Sequence, residues 1–153
     1  MFDIIIDTRE QRPLEFSSSV VKEVRTEKLD TGDYTIAGLE NVLFIERKGG
    51  LTEFYRNCTQ KRFWSELDRT APFKYKFLVL ECSYEDIAAI PYSLGLPKAQ
   101  WTQLKVTPQY IIKCVGDIQV KYDIHVIFAG NRETATEIIL NIMKRVSENE
   151  SRP

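Results

Sequence analysis

The sequence predicts an α/β protein in which a single mixed β-sheet is flanked by helices on both faces. Three observations carry that expectation. Short β-branched and aliphatic runs at Phe2–Asp7, Val42–Glu46 and Lys76–Cys82 read as strands buried on both faces. Stretches with helical apolar spacing follow them, and strands mixed with helices in this order favour one covered sheet. The 153 residues, 43% of them apolar, can bury one core, and no repeat, low-complexity tract or linker divides them. A single domain over residues 1–148 is expected, with 149–153 a polar tail that frays.

Each element has its own signal. Phe2–Asp7 is the first strand. Across Val20–Leu29 the alternation is less clean, with Val20, Val24, Thr26 and Leu29 as core positions. Asp30-Thr31-Gly32-Asp33 is a turn, and Tyr34-Thr35-Ile36 opens a strand. Gly38–Asn41 turns the chain into Val42–Glu46, which makes a hairpin that brings Asp33 and Glu46 to the same end. Gly49-Gly50 interrupts, and Thr52 is the expected N-cap of a helix carrying Phe54, Tyr55 and Cys58. Phe63, Trp64 and Leu67 mark a second helix, ended by Pro72. Lys76–Cys82 is a strand, Tyr84–Ala89 a short helix, and Pro91–Pro97 a loop of turn formers. Pro108–Val120 has helical spacing, Ile124–Phe128 is the last strand, and Asn131 caps a final helix with Ala135, Ile138, Ile139, Ile142 and Met143 on one face.

Composition narrows the function. Cys58, Cys82 and Cys114 are scattered, without a C-x-x-C, which argues for free thiols in a reducing, cytoplasmic setting. The start has no basic region and only a short apolar run, so neither a signal peptide nor a membrane span is expected. His125 is the sole histidine, which disfavours zinc sites and Ser-His-Asp catalysis. There is no phosphate-binding glycine loop, so nucleotide-fuelled chemistry is disfavoured. Trp64 and Trp101 are read as packing groups, with base stacking the minority role for an exposed one. Net charge is −1, yet between Asn41 and Lys76 eight Lys and Arg stand against four Asp and Glu. A basic zone beside acids suits a phosphate backbone, although on charge alone solvated i,i+4 ion pairs such as Arg62 with Glu66 are the favoured explanation.

The chemistry concentrates at Ile45-Glu46-Arg47-Lys48, with Gly32-Asp33-Tyr34 upstream. A buried strand ending in Glu-x-Lys, with a second acid from the neighbouring strand, suits phosphodiester cleavage. Two carboxylates can hold a hard divalent cation such as Mg²⁺. A partly desolvated lysine can orient or deprotonate water. Asp7, followed by Thr8-Arg9-Glu10, ends the first strand where open α/β sheets place ligands. Three acidic clusters at strand ends within fifty residues are hard to assign to chance.

Asp7-Thr8-Arg9-Glu10, Gly32-Asp33-Tyr34 and Ile45-Glu46-Arg47-Lys48 together resemble the XPF-type nuclease domain, which cuts branched and flapped DNA. The similarity continues through Arg62-Phe63, Glu66-Leu67, Phe77–Glu81 and Val126–Ala129 into the final helix. It implies a restriction-endonuclease-like fold of the PD-(D/E)XK group. Asp33 and Glu46 would then ligate Mg²⁺ or Mn²⁺, with Asp7 as a further ligand, and Lys48 would act on the water. Glu10 would complete the acidic cluster and Arg47 would shape the site. Arg9, Arg56, Lys61 and Arg62 are the candidate DNA contacts. The family's Asp four residues after the lysine is Thr52 here, with Glu53 one later. The family's paired helix-hairpin-helix module does not fit within these residues, so a compact stand-alone version of the kind carried by phages and mobile elements is expected. Homodimerisation through apolar surface on the last two helices is also implied. A silent module on the same fold that only binds DNA or a partner chain is the alternative.

Overall fold

Six strands form one mixed sheet in a computed structural model that describes residues 1–153. They are β1 (Phe2–Asp7), β2 (Val21–Glu27), β3 (Tyr34–Ile36), β4 (Leu43–Lys48), β5 (Tyr75–Leu80) and β6 (His125–Phe128), in the spatial order β2-β1-β3-β4-β5-β6. The β1–β2, β4–β5 and β5–β6 pairs are parallel, whereas β3 is antiparallel to both β1 and β4. One reversed strand therefore sits among five that run the same way. The carboxyl ends of β1, β4 and β5 and the amino end of β3 share one edge of the sheet, and that edge carries the acidic clusters.

Five helices cover the sheet: α1 (Leu51–Cys58), α2 (Lys61–Asp68), α3 (Tyr84–Ala88), α4 (Pro108–Tyr122) and α5 (Arg132–Glu150). Alternation along the central strands decides which helix each residue meets. Phe44, Leu78 and Leu80 pack with α1–α4 through Phe54, Phe63, Leu67, Ile111 and Ile118. Leu43, Ile45 and Val79 point the other way, onto Ala135, Ile139, Met143 and Val146 of α5. Because both faces are covered, β1, β4 and β5 read as continuous apolar runs.

Several expectations are corrected by packing. Val24 is exposed, because β2 is an edge strand whose charged side chains face solvent; of the four core positions expected there only Leu29 is buried. Thr52 lies inside α1, whose N-cap is Gly50, and the Thr52 hydroxyl instead donates to Leu94 O at 2.8 Å. Helix α2 stops at Asp68, ahead of Pro72. Asn131 does cap α5, accepting from the Thr134 N–H at 2.8 Å. That helix continues to Glu150, whose carboxylate accepts from Lys74 Nζ and the Tyr75 hydroxyl. The three cysteines are free and buried. His125 is exposed on the edge strand with its ring 5.3 Å from that of Phe77. No helix is long and apolar enough to cross a membrane.

Tyr34, fully buried, uses its hydroxyl to accept from the Leu14 N–H at 3.0 Å and so ties the loop after β1 to the sheet. Tyr34→Phe leaves that buried N–H without a partner and should lower unfolding free energy by about 1–2 kcal/mol in urea titration. An unchanged midpoint would show that water replaces the bond.

Candidate active site

Backbone hydrogen bonds align the acidic strand ends. The Asp7 N–H donates to Asp33 O (2.8 Å), the Asp33 N–H to Ile45 O (2.8 Å) and the Glu81 N–H to Lys48 O (2.9 Å). Gly32 precedes Asp33 with φ +89°, and a Cβ there would stand 3.0 Å from the Phe44 ring and 3.3 Å from Ile45 O. Only glycine fits that close approach. The Gly-Asp pair is thus a packing requirement that delivers a carboxylate to the end of β4.

The edge opens into a cleft of about 1010 Å³ whose wall carries no apolar side chain. Asp33, Glu46 and Lys48 line it together with Arg9, Glu10, Arg47, Arg56 and Glu81. A small-molecule pocket is mostly apolar, so this wall suits a charged polymer better.

Asp33 and Glu46 line the same cleft, and their charges act on each other. Burial and the charge of Glu46 push the Asp33 carboxyl well above the usual range, partly offset by the Arg47 N–H, which donates to Asp33 Oδ2 at 2.8 Å. Burial also raises Glu46, against the lowering influence of Lys48. Lys48 Nζ donates to Glu46 Oε1 at 3.0 Å and lies 5.5 Å from the centre of the Phe63 ring. Burial would lower the lysine, but Glu46 and then Asp33 outweigh it and hold it above its ordinary value. Lys48 is therefore held as an ammonium beside Glu46, a donor and a positive charge.

Arg47 shapes the site from behind. Its guanidinium donates to both Glu10 oxygens (3.1 and 3.2 Å), both Glu81 oxygens (3.1 Å each) and Arg12 O (2.9 Å). All three side chains are no more than 12% exposed. Glu10 therefore neutralises Arg47 and does not extend the Asp33–Glu46 pair. Glu53 accepts from the Gly49 N–H at 2.8 Å and so lines the cleft mouth at the first turn of α1.

Asp7 is not brought in as a third free acid. Its Oδ1 accepts from the Leu29 N–H at 2.8 Å and its Oδ2 from Arg9 Nε at 2.7 Å. Burial would raise its carboxyl, but those two donors hold it below the usual range. It borders a smaller cavity of about 170 Å³ next to Asp33, Glu46 and Glu66. Among the basic candidates, Arg9 and Arg56 line the cleft, whereas Lys61 and Arg62 do not. Arg62 instead pairs with Glu66 at 3.1 Å on the surface. Arg12, Glu81, Asn131 and Arg132 belong to the cleft but were not singled out from sequence. For Glu81 the signal existed: it is one more acid just past a buried strand. For Arg12 and Arg132 there was none, because loops distant in sequence meet there, with Arg132 donating to Arg12 O at 3.1 Å and Pro13 O at 2.6 Å.

Whether the residues suit a divalent cation turns on free lone pairs. Asp33 Oδ2 and Glu46 Oε1 are engaged by Arg47 and Lys48, but no protein group donates to Asp33 Oδ1 or Glu46 Oε2. Two hard oxygen donors thus remain on carboxyl groups whose mutual repulsion a cation would relieve. No cluster of three or more potential ligands gathers in the fold. The pair fits Mg²⁺ or Mn²⁺, which commonly complete their shells with water and phosphate, and not a closed all-protein cage.

The ERCC4 domain family model matches residues 6–142. Among solved structures, XPF from Aeropyrum pernix is similar, with a TM-score of 0.69 and 18% identity, covering 96% of this chain and 68% of that one. XPF from Aeropyrum pernix in complex with DNA is similar with a TM-score of 0.67 and 16% identity, covering 100% and 68%. The shared fold is the restriction-endonuclease-like mixed sheet. No curated protein matches the chain in sequence.

Arg47→Ala would leave two buried carboxylates without their cation and should cost about 3–5 kcal/mol of stability, read by chemical denaturation. Asp33→Asn should do the opposite. A raised carboxyl pKa means the folded state holds its proton more tightly, so the stability it contributes is present below the ordinary carboxylate range and lost as pH rises through the elevated folded value. In metal-free buffer at pH 7 the variant should melt higher, by about 2–4 °C for each kcal/mol of repulsion relieved, and the gain should vanish in acid. A lower Tm at pH 7 would refute the charge strain.

Proposed function

The chain belongs to the ERCC4 domain family, and we propose that it is a Mg²⁺- or Mn²⁺-dependent endonuclease that hydrolyses phosphodiester bonds in branched or flapped DNA. The observation that carries this reading is the pair of mutually strained carboxylates in a cleft without apolar walls, with an ammonium on one of them. The branched substrate is supported by the resemblance alone. The DNA complex of the similar XPF structure supports a nucleic-acid ligand.

Asp33 and Glu46 would hold the metal through their free oxygens. When bound, the metal supplies Lewis-acid polarisation of the phosphate and lowers the pKa of water. Lys48, fixed as an ammonium by Glu46, orients the attacking water or offsets charge as it builds on the phosphate oxygens. Arg47 holds Glu10, Glu81 and the Arg12 carbonyl, and its backbone N–H fixes the rotamer of Asp33. Arg9, Arg56, Arg12 and Arg132 ring the cleft, where guanidinium forks suit phosphate oxygens. Asp7 supports the site by anchoring Arg9 and the Leu29 turn.

A homodimer is proposed with it. Ile112 and Val120 of α4 are 44% and 85% exposed, and Phe128 lies exposed on the unpaired edge strand β6. Such apolar surface suits a second copy. The free buried thiols suit a reducing cytoplasm.

Labelled flap, fork, single-stranded and duplex DNA should be cut with Mg²⁺ or Mn²⁺, and a chelator should stop the reaction. Asp33→Ala and Glu46→Ala should abolish cleavage while binding persists, and Lys48→Ala should slow it by about 100-fold. Binding without any cutting would instead indicate a silent DNA-binding module. Arg56→Ala should weaken binding on all sequences and reduce the salt slope by about one, whereas Lys61→Ala should leave both unchanged. Equal effects would mean that the backbone runs outside the cleft.

A further inference from the structure

We infer that the segment Pro91–Gln103 is a stacking platform for unpaired bases of single-stranded DNA, with Tyr92 as the stacking ring and Lys98 as its phosphate contact. This rests on the reading of the cleft as a DNA site, and it assigns a role to residues outside that cleft.

The segment is held at both ends and open in the middle. Ile90, Leu94 and Val106 are buried in the core under α1–α4, while Tyr92 is 74% exposed. Two short 3-10 turns, Tyr92–Leu94 and Lys98–Gln103, bring Tyr92 and Trp101 edge to face with ring centres 4.8 Å apart. The Trp101 ring is oriented by its Nε1–H, which donates to Leu96 O at 3.1 Å, and Lys98 Nζ lies 5.9 Å from its centre. Tyr92 is thus braced from one side by a fixed indole and left open on the rest of its surface. A rigid exposed ring beside a lysine is the arrangement that holds a base and its phosphate without reading sequence.

Charge supports a nucleic acid over a protein segment. From Ile87 to Gly116 the chain has no Asp or Glu, the longest acid-free run in a chain of net charge −1, and of its three lysines Lys98 and Lys105 form no ion pair, whereas Lys113 pairs with Asp117 at 2.9 Å. Position supports continuity with the cleft. Thr52, a cleft-lining residue, donates to Leu94 O two residues beyond Tyr92, so the platform is rooted on the α1 rim of the cleft. That anchoring on α1 is what would let a single strand leaving the cleft continue onto the Tyr92 ring.

The test measures binding of the full chain to a labelled oligodeoxythymidine and to a duplex by anisotropy in metal-free buffer, with cleavage assayed separately. Tyr92 is exposed, so substitution there leaves the core intact. Tyr92→Ala should weaken single-strand binding about tenfold, and Tyr92→Phe should retain it. Lys98→Ala should lower the salt slope by about 0.7, and duplex affinity should change in none of them. Unchanged single-strand affinity in Tyr92→Ala overturns the platform, whether or not the protein cuts DNA. Tyr92-dependent binding without metal-dependent cleavage keeps the platform and rejects the nuclease. Tyr92-dependent self-association without oligonucleotide binding assigns the patch to a protein surface and overturns it as well.

Discussion

Arg47 is the contact through which the active edge of the sheet is held together. Its guanidinium joins Glu10 and the Arg12 carbonyl from the loop after β1 to Glu81 at the end of β5, while its own backbone N–H steadies Asp33. Three segments distant in sequence are thereby fixed around β4. A buried guanidinium between two carboxylates is stable because five donors find acceptors in one plane, and a lysine could not make that fork. The same contact occupies the oxygens of Glu10 and Glu81, so the carboxyl oxygens left without a donor at this edge belong to Asp33 and Glu46.

That concentration of charge sets stability against function. Burying two carboxylates at one edge of the sheet opposes folding, and Lys48 makes a hydrogen bond to only one of them. The rest of the domain carries the cost through a sheet covered on both faces, with Tyr34, Phe54 and Ile111 fully enclosed. A preorganised pair whose charges oppose each other is what a cation and a phosphate would stabilise. The platform at Tyr92 follows the opposite logic, being rigid through its indole brace and free of charge strain.

The strands and the end of the sheet that carries the site were legible because each buried strand is a β-branched run that stops at a charged residue. Asp33 and Glu46 could be paired from the hairpin length alone, and Tyr34 does face Ile45 across it. Thr52 was misassigned as a cap because a hydroxyl before an apolar run is a generic signal, whereas the helix start was decided by the Gly49-Gly50 break and the pull of Leu94 O on Thr52. Val24 looked buried because alternation does not reveal that a strand lies at an edge. Lys61 and Arg62 share a basic stretch with Arg56, but Arg56 is on α1, which borders the cleft, whereas Lys61 and Arg62 belong to the separate helix α2 and do not line it.

The residues by themselves determined the α/β class, the order of the elements and the identity of the Asp33, Glu46 and Lys48 group, because hydrophobic period and chemical type are local properties. Only the tertiary structure decided what each charge does. Asp7 became a structural anchor because the Leu29 N–H and Arg9 reach its two oxygens. Lys48 became a fixed ammonium because Glu46 lies 3.0 Å away, and Arg12, Glu81 and Arg132 entered the cleft because loops far apart in sequence close on one another. Protonation, pairing and access depend on distances across the fold, and those are not written in any local pattern.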